Sequence, residues 1–161
     1  MASKVNTVMS TIVTQLEGLT PVSDGSTATY SFVDDLIEER GNGQHRELRW
    51  NLPESSGPHD TTETREVTEF GFTLFLHRTP TGQSERTQYV WIQAINNERA
   101  QIHRTINGIS TWGDSDILEV IYRGCETEDV TPARGNQSGG VHRPLVAALT
   151  FNLSAFTQEN D

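Results

Sequence analysis

The residues that could perform chemistry are few, and their spacing is not that of a known site. No two of the histidines have the four-residue spacing of a helical zinc site, and no cysteine pair joins them. We therefore expect solvated or capping histidines and a buried structural thiol at the lone cysteine. One cysteine excludes an internal disulfide, so a reducing compartment is the simplest expectation. These residues are His45, His59, His77, His103, His142 and Cys125.

Three acidic pairs could bind a cation or run acid–base chemistry, but exposed charge that keeps the chain soluble is the favoured interpretation. They are Asp34/Asp35, Glu38/Glu39 and Glu128/Asp129. The sequence contains no phosphate loop, dinucleotide fingerprint or G-x-S-x-G elbow, although a Ser/His/Asp triad is not excluded. We expect no catalytic residue, no metal and no cofactor.

Basic and aromatic residues gather at Arg46, Arg49 and Trp50, beside a polar stretch. An arginine and aromatic cluster next to such a stretch suits a protein interface. Ordinary packing on a strand surface explains it equally well, so both interpretations stay open.

The size and charge of the chain restrict its class. Its 161 residues are enough for one domain, and a net charge of -10 argues against coating DNA or RNA. No apolar run suits a signal peptide or a membrane span, so we expect no membrane association. The hydrophobic fraction of 34% indicates long polar loops or apolar surface that is covered on assembly.

Alternating apolar residues predict the strands. The best case is 141–156, in which Leu145, Ala147, Leu149, Phe151 and Leu153 share one face. Further strands are predicted at 67–78 and 117–125, and weaker ones at 30–33 and 44–51. Two polar stretches rich in Gly, Pro, Ser and Thr, 52–66 and 131–140, are predicted to be mobile loops or hairpin tips.

Helical periodicity predicts two helices. One covers 3–19 with Ser3 as its N-cap, and the other covers 84–107 with Ser84 as its N-cap. The apolar stripe of the second helix is predicted to contain Ile92, Ile95, Ile102 and Ile106. We therefore predict a single α+β domain over 1–161: a mostly antiparallel sheet with two helices packed on one face.

This order of elements resembles the tail terminator (tail completion) proteins of long-tailed bacteriophages, the family of the lambda minor tail protein U. The resemblance is carried by the helix KVNTVMSTIVTQLEGL, by EFGFTLFLHR with the helix SERTQYVWIQAINNERAQIHRTI, and by ILEVIYRGCETEDV followed by RPLVAALTFNLSAF. In the last strand, Arg143, Leu145, Phe151 and Leu153 occupy the family's arginine and apolar places. The resemblance covers roughly 3–19 and 67–156, and the segment 30–66 is longer and more polar than the family pattern.

The resemblance implies a structural virion protein without catalysis. It implies a homo-hexameric ring at the tail–neck junction, assembled in the host cytoplasm, which caps the tail tube and ends its polymerisation. The other face of the ring would join the head-completion (neck) protein, and genomic DNA would pass through the lumen without specific binding. The nearest alternative is a head-completion protein of the same virion. The alternative from another class is a small monomeric α+β enzyme or ligand-binding domain.

Seven residues are the predicted contacts with other subunits, the tube or the neck. In a ring, opposite charges on neighbouring subunits set register and partner choice. The candidates are Arg46, Arg49 and Trp50 at one loop base, and Glu128, Asp129, Arg134 and Arg143 at the last hairpin.

Overall fold

The fold is α+β, as the sequence predicts. A computed structural model describes residues 4–22, 29–32, 46–51, 54–62, 65–79, 88–129 and 147–159. In these ranges the chain forms two helices and six strands. In chain order they are α1 Lys4–Glu17, β1 Ser31–Phe32, β2 Arg46–Trp50, β3 Glu54–Thr62, β4 Arg65–Arg78, α2 Gln88–Asn107, β5 Ile117–Asp129 and β6 Ala147–Glu159.

The sheet is built on the pair β4–β6. These strands are antiparallel and stay in one register from the pair Glu66–Glu159 to the pair Arg78–Ala147. The strand order is β1-β2-β4-β6-β5, and β3 also pairs with β4. Only the short β1–β2 pair is parallel among the described strands, so the sheet is mostly antiparallel.

Strand β3 corrects the loop prediction over 52–66. Residues 54–62 pair antiparallel with β4, so this segment forms one arm of a hairpin. The register shifts on both sides of Pro58. A bulge accommodates a proline, which has no N–H to donate to the ladder. The Pro and Gly signals were therefore signs of an irregular strand. The other loop prediction, 131–140, lies outside the described residues, as do the proposed caps Ser3 and Ser84.

The core lies where the alternation predicted it. On β6 the buried side chains are Ala147, Leu149, Phe151, Leu153 and Ala155, and on β4 they are Phe72, Leu74 and Leu76. Helix α1 buries Val5, Val8, Ile12 and Leu16 in the same region. Each large apolar side chain that leaves water contributes about 1.5–3 kcal/mol. The two helices contact each other, and one core cluster holds residues of both helices and of alternate strand positions. That both helices cover one face of the sheet stays a prediction.

The buried face of helix α2 differs from the predicted one at its first turn. The buried stripe contains Trp91, Ile95, Glu98, Ile102 and Ile106, whereas Ile92 is 50% exposed. One residue step turns a helix by about 100°, so a stripe centred near Trp91 leaves Ile92 on the flank. Our assignment of Ile92 to the core was wrong. The helix ends at Asn107, where the Gly108 N–H donates to the Arg104 carbonyl over 2.9 Å.

Strand β5 is longer than the sequence indicated. It continues past Cys125 to Asp129, and the pairs Thr127–Leu149 and Asp129–Ala147 belong to its ladder with β6. Its register shifts twice, between Ile117 and Glu119 and between Tyr122 and Gly124. Each shift is a β-bulge, in which two residues oppose one on the partner strand. Gly124 has a φ of 139°, a conformation that glycine tolerates best.

A lysine joins the start of α1 to the sheet. Lys4 Nζ lies 2.6 Å from Asp116 Oδ2, just before β5, and also donates to the Gln158 carbonyl in β6. The ammonium is mostly buried, with 18% of the side chain exposed. This contact fixes the first turn of α1 over the start of β5 and the end of β6.

Candidate interaction surface

Arg46 is an interior residue. It lies on the core face of β2, opposite Arg78 of β4, and both side chains are fully buried. Both guanidinium groups bind the buried carboxylate of Glu98 from α2. Arg46 donates from Nη2 over 2.6 Å and from Nε over 3.0 Å, and Arg78 donates from Nε over 3.0 and 3.1 Å. We call Arg46, Arg78 and Glu98 the buried triad.

The buried triad locks α2 to the sheet. Arg78 also donates to the Thr79 carbonyl, and its guanidinium lies 5.5 Å from the ring centre of Trp91. Buried charges need such partners because they have lost their hydration. The side chain of Arg46 is therefore buried and bound to Glu98 within the chain. Its assignment to an interface with other proteins was wrong.

Arg49 and Trp50 point to opposite faces of β2. Trp50 is on the core side, with ring-centre distances of 5.8 Å to Phe32 and 5.7 Å to Phe72. Arg49 is on the other side, with Nη2 at 3.7 Å from Glu47 Oε2. Successive residues of a strand alternate between faces. The predicted arginine and aromatic cluster is therefore not one surface, and packing accounts for Trp50.

Two of the four residues of the second predicted group lie at the end of β5. Glu128 is exposed there, and Asp129 is the last residue of the strand. Arg134 and Arg143 lie outside the described residues. Among the described strands β5 pairs only with β6, so it is the outermost strand of the described sheet. Of the seven candidates, Glu128 is exposed and Arg49 is part-buried, with 24% of its side chain exposed, and the two lie on different parts of the sheet.

A groove runs between α2 and the far end of β5, and the sequence analysis did not find it. Its volume is about 190 Å³, and its lining combines an apolar floor with a polar rim. We call it the α2–β5 groove; it is lined by Trp91, Ile92, Ile95, Asn96, Arg99 and Thr127. Tyr89, one turn before Ile92, is 71% exposed. The spacing gave no signal for this groove, because it placed Ile92 in the buried stripe.

Arg99 is the only charged residue among the described residues that line this groove, and it has no hydrogen bond or ion pair with any of the residues that the structure describes. A guanidinium beside apolar side chains is a good partner for a carboxylate. The groove thus combines apolar contact with one positive charge. The described part of its lining contains no carboxylate and no imidazole.

Beside the groove, aromatic and sulfur groups join α2 to β5. The rings of His103 and Tyr122 stack with their centres 4.1 Å apart. Burial raises the pKa of Tyr122 to about 12, and the neighbouring Cys125 adds to the shift. Burial also raises the pKa of the Cys125 thiol, which keeps it protonated at neutral pH and slow to react.

The near end of β5 carries a second exposed feature. Leu118 and Glu119 both oppose Phe156 in the first bulge of the strand. Leu118 is 50% exposed, and Glu119 is also exposed. We call this pair the β5 bulge. It presents an apolar side chain next to a carboxylate at the edge of the sheet.

No group of three or more His, Cys, Asp or Glu side chains that could hold a metal ion occurs in the described part of the chain. Neither helix described here is long and apolar enough to cross a membrane. In comparisons with known proteins, no family model matches the sequence, and no curated protein is significantly similar to it.

Proposed function

We propose that this chain is a structural virion protein of a long-tailed bacteriophage, which forms a ring on the end of the tail tube, stops tube polymerisation and joins the tail to the neck. The α+β fold agrees with what the family resemblance implies. The observation that carries the proposal is the composition of the β5 side of the molecule: an apolar groove, an exposed strand edge and an exposed bulge.

Such a surface is typical of self-assembly. Tyr89, Ile92 and Leu118 are each at least half exposed, although burying them would be favourable. A long sheet edge also invites association unless charges or bulges protect it. Strand β5 has two bulges and exposed glutamates, which favour a specific contact over uncontrolled edge pairing.

The acidity of the chain suits a ring through which DNA passes. Glu126 and Glu128 are exposed at the far end of β5, and the net charge is -10. Acidic walls repel phosphates, so DNA slides past without binding. Reversing Glu126, Glu128 and Asp129 to lysine is expected to slow DNA delivery and reduce infectivity; unchanged infectivity would remove these residues from the lumen.

The test of the proposal is assembly of the purified protein, alone and with purified tail tubes. Light scattering gives the solution mass, and negative-stain images show whether the particles are rings. Rings of about six copies, or rings that form at tube ends, are the expected result. A single chain that binds neither itself nor tubes would overturn the proposal.

The same experiment separates the tail terminator from a head-completion protein. Purified capsids and purified tubes are offered in parallel, each with labelled protein. Binding to tube ends supports the terminator role. Binding to capsids alone would assign the ring to the head side of the neck.

A further inference from the structure

We infer that copies of this chain join head to tail, with the β5 bulge of one copy seated in the α2–β5 groove of the next. The inference rests on the proposed self-assembly and adds the surfaces that perform it. The occupant of the groove is therefore a second copy of the same chain, and the segment that enters is Leu118–Glu119.

The chemistry of the two surfaces is complementary. Leu118 supplies an exposed apolar side chain for the floor formed by Trp91, Ile92 and Ile95. Glu119 supplies an exposed carboxylate for Arg99, and neither residue has a hydrogen bond or ion pair within the described part of the chain. Apolar burial with one charge pair at the rim gives both affinity and register.

A single chain cannot satisfy this contact by itself. The β5 bulge and the groove residue Thr127 are at opposite ends of the strand, roughly 25 Å apart at the usual rise per residue. Two different patches that bind each other make a heterologous contact, which closes into a ring or extends into a filament. One repeated contact of this kind is therefore enough to build the proposed ring without a second interface.

Other exposed groups fit the groove less well. Val22 is 59% exposed, but it lies after α1, where its N–H donates to Gln101. Glu126 and Glu128 flank Thr127 on the strand that forms the groove, and alternation turns them to the opposite face of the sheet. Among the described residues of β5, an exposed large apolar side chain beside an exposed carboxylate occurs only at the bulge.

The first test is a charge exchange. Arg99→Glu and Glu119→Arg are each expected to raise the concentration for half-assembly about tenfold or more, and the double variant is expected to recover most of the loss. Val22→Glu is the matched control, because it adds a charge at an exposed apolar site outside the contact. Circular dichroism and thermal unfolding confirm that each variant is folded.

The second test separates head-to-tail from symmetric contacts. Ile92→Glu blocks the groove and Leu118→Glu blocks the bulge, so neither variant is expected to assemble alone. A mixture still has one intact bulge and one intact groove, and it is expected to form pairs that do not grow. Rings from either variant alone, or from the mixture, would overturn the inference.

The two proposals fail in different ways. If wild-type rings form on tubes and the exchanged charges have no effect, the contact is wrong and the proposed function stands. If the charge exchange behaves as expected but rings bind no tube, the contact stands and the function is wrong. A wild-type chain that never associates would overturn both.

Discussion

Arg46 and Glu98 approach to 2.6 Å, although neither side chain is exposed to solvent. They come from a strand and a helix 52 positions apart in the chain, and Arg78 binds the same carboxylate. A buried ion pair of this kind adds little net stability, but removing one partner leaves a charge without compensation.

Glu98→Gln is therefore expected to reduce the free energy of unfolding by about 3–5 kcal/mol. The variant leaves two buried guanidinium groups without their carboxylate. Urea unfolding followed by circular dichroism measures the change. Arg46→Met is expected to cost less, because Arg78 and Glu98 remain as a pair. Glu17→Gln, at an exposed site in α1, is the control and is expected to change stability by about 0.5 kcal/mol or less. Equal losses for Glu98→Gln and Glu17→Gln would contradict the structural role of the buried triad.

The alternation along β6 gives a second prediction. Phe151 is fully buried, and the neighbouring Asn152 lies on the other face, where Thr73 Oγ1 donates to it over 3.4 Å. Phe151→Ala is expected to cost about 3–5 kcal/mol through lost burial and a cavity. Asn152→Ala is expected to cost about 1 kcal/mol or less, since it removes one weak hydrogen bond. Denaturant unfolding of both variants measures the two losses of stability. A larger loss for Asn152→Ala than for Phe151→Ala would show that Asn152, and not Phe151, faces the core.

Two glycines are expected to respond in opposite directions to alanine. Gly124 has a φ of 139°, so Gly124→Ala is expected to destabilise the chain by about 1 kcal/mol or more, even though the added methyl meets no atom within 4 Å. Gly18 has a negative φ and only ordinary contacts around an added methyl, the nearest at 3.5 Å. Gly18→Ala is expected to stabilise by about 0.4–1 kcal/mol. Thermal unfolding of the two variants measures whether each substitution raises or lowers the stability. Stabilisation by Gly124→Ala would contradict a positive φ at this position.

Tyr122 predicts a loss of stability at alkaline pH. Its pKa is raised from 10.0 to about 12, chiefly by burial, so the folded chain holds the proton longer than the unfolded chain. The stability that the protonated phenol contributes is fully present below pH 10. It is lost as the pH rises from 10 to about 12, because the unfolded chain releases the proton first. Urea midpoints measured from pH 9 to 12 are expected to fall more steeply in the wild type than in Tyr122→Phe, which keeps the ring stacked on His103. Identical slopes would exclude a role for the phenol.

Periodicity was sufficient to predict most of the fold. Strands β4 and β6 and helix α1 each bury one regular set of apolar residues, and the sequence displays that regularity directly. Strand β3 was missed because its glycine and its proline, Pro58, are typical of loops, whereas here bulges accommodate the irregular positions. The end of β5 was missed because the predicted strand stopped at Cys125, before the acidic residues, although the outermost strand of a sheet tolerates charge.

The interior charges were harder to predict than the strands. Glu98 looks like a solvent residue, and only its place in the stripe from Trp91 to Ile106 indicates burial. Its partners come from two strands, so no local pattern connects the three. Arg46 was misassigned for the same reason. The α2–β5 groove likewise requires the packing of a helix against a strand edge, which one-dimensional spacing does not contain.

The β4–β6 ladder has a consequence for how the chain folds. Every pair in it joins residues far apart in sequence; Thr73 and Asn152, for example, are 79 positions apart. Closing such long loops is entropically unfavourable, so contacts of this range slow folding. During synthesis β4 can pair with β3 at once, but β6 is made much later. Until then the apolar face of β4 stays exposed to water. That interval exposes the chain to aggregation on the ribosome, and a holding chaperone would act there.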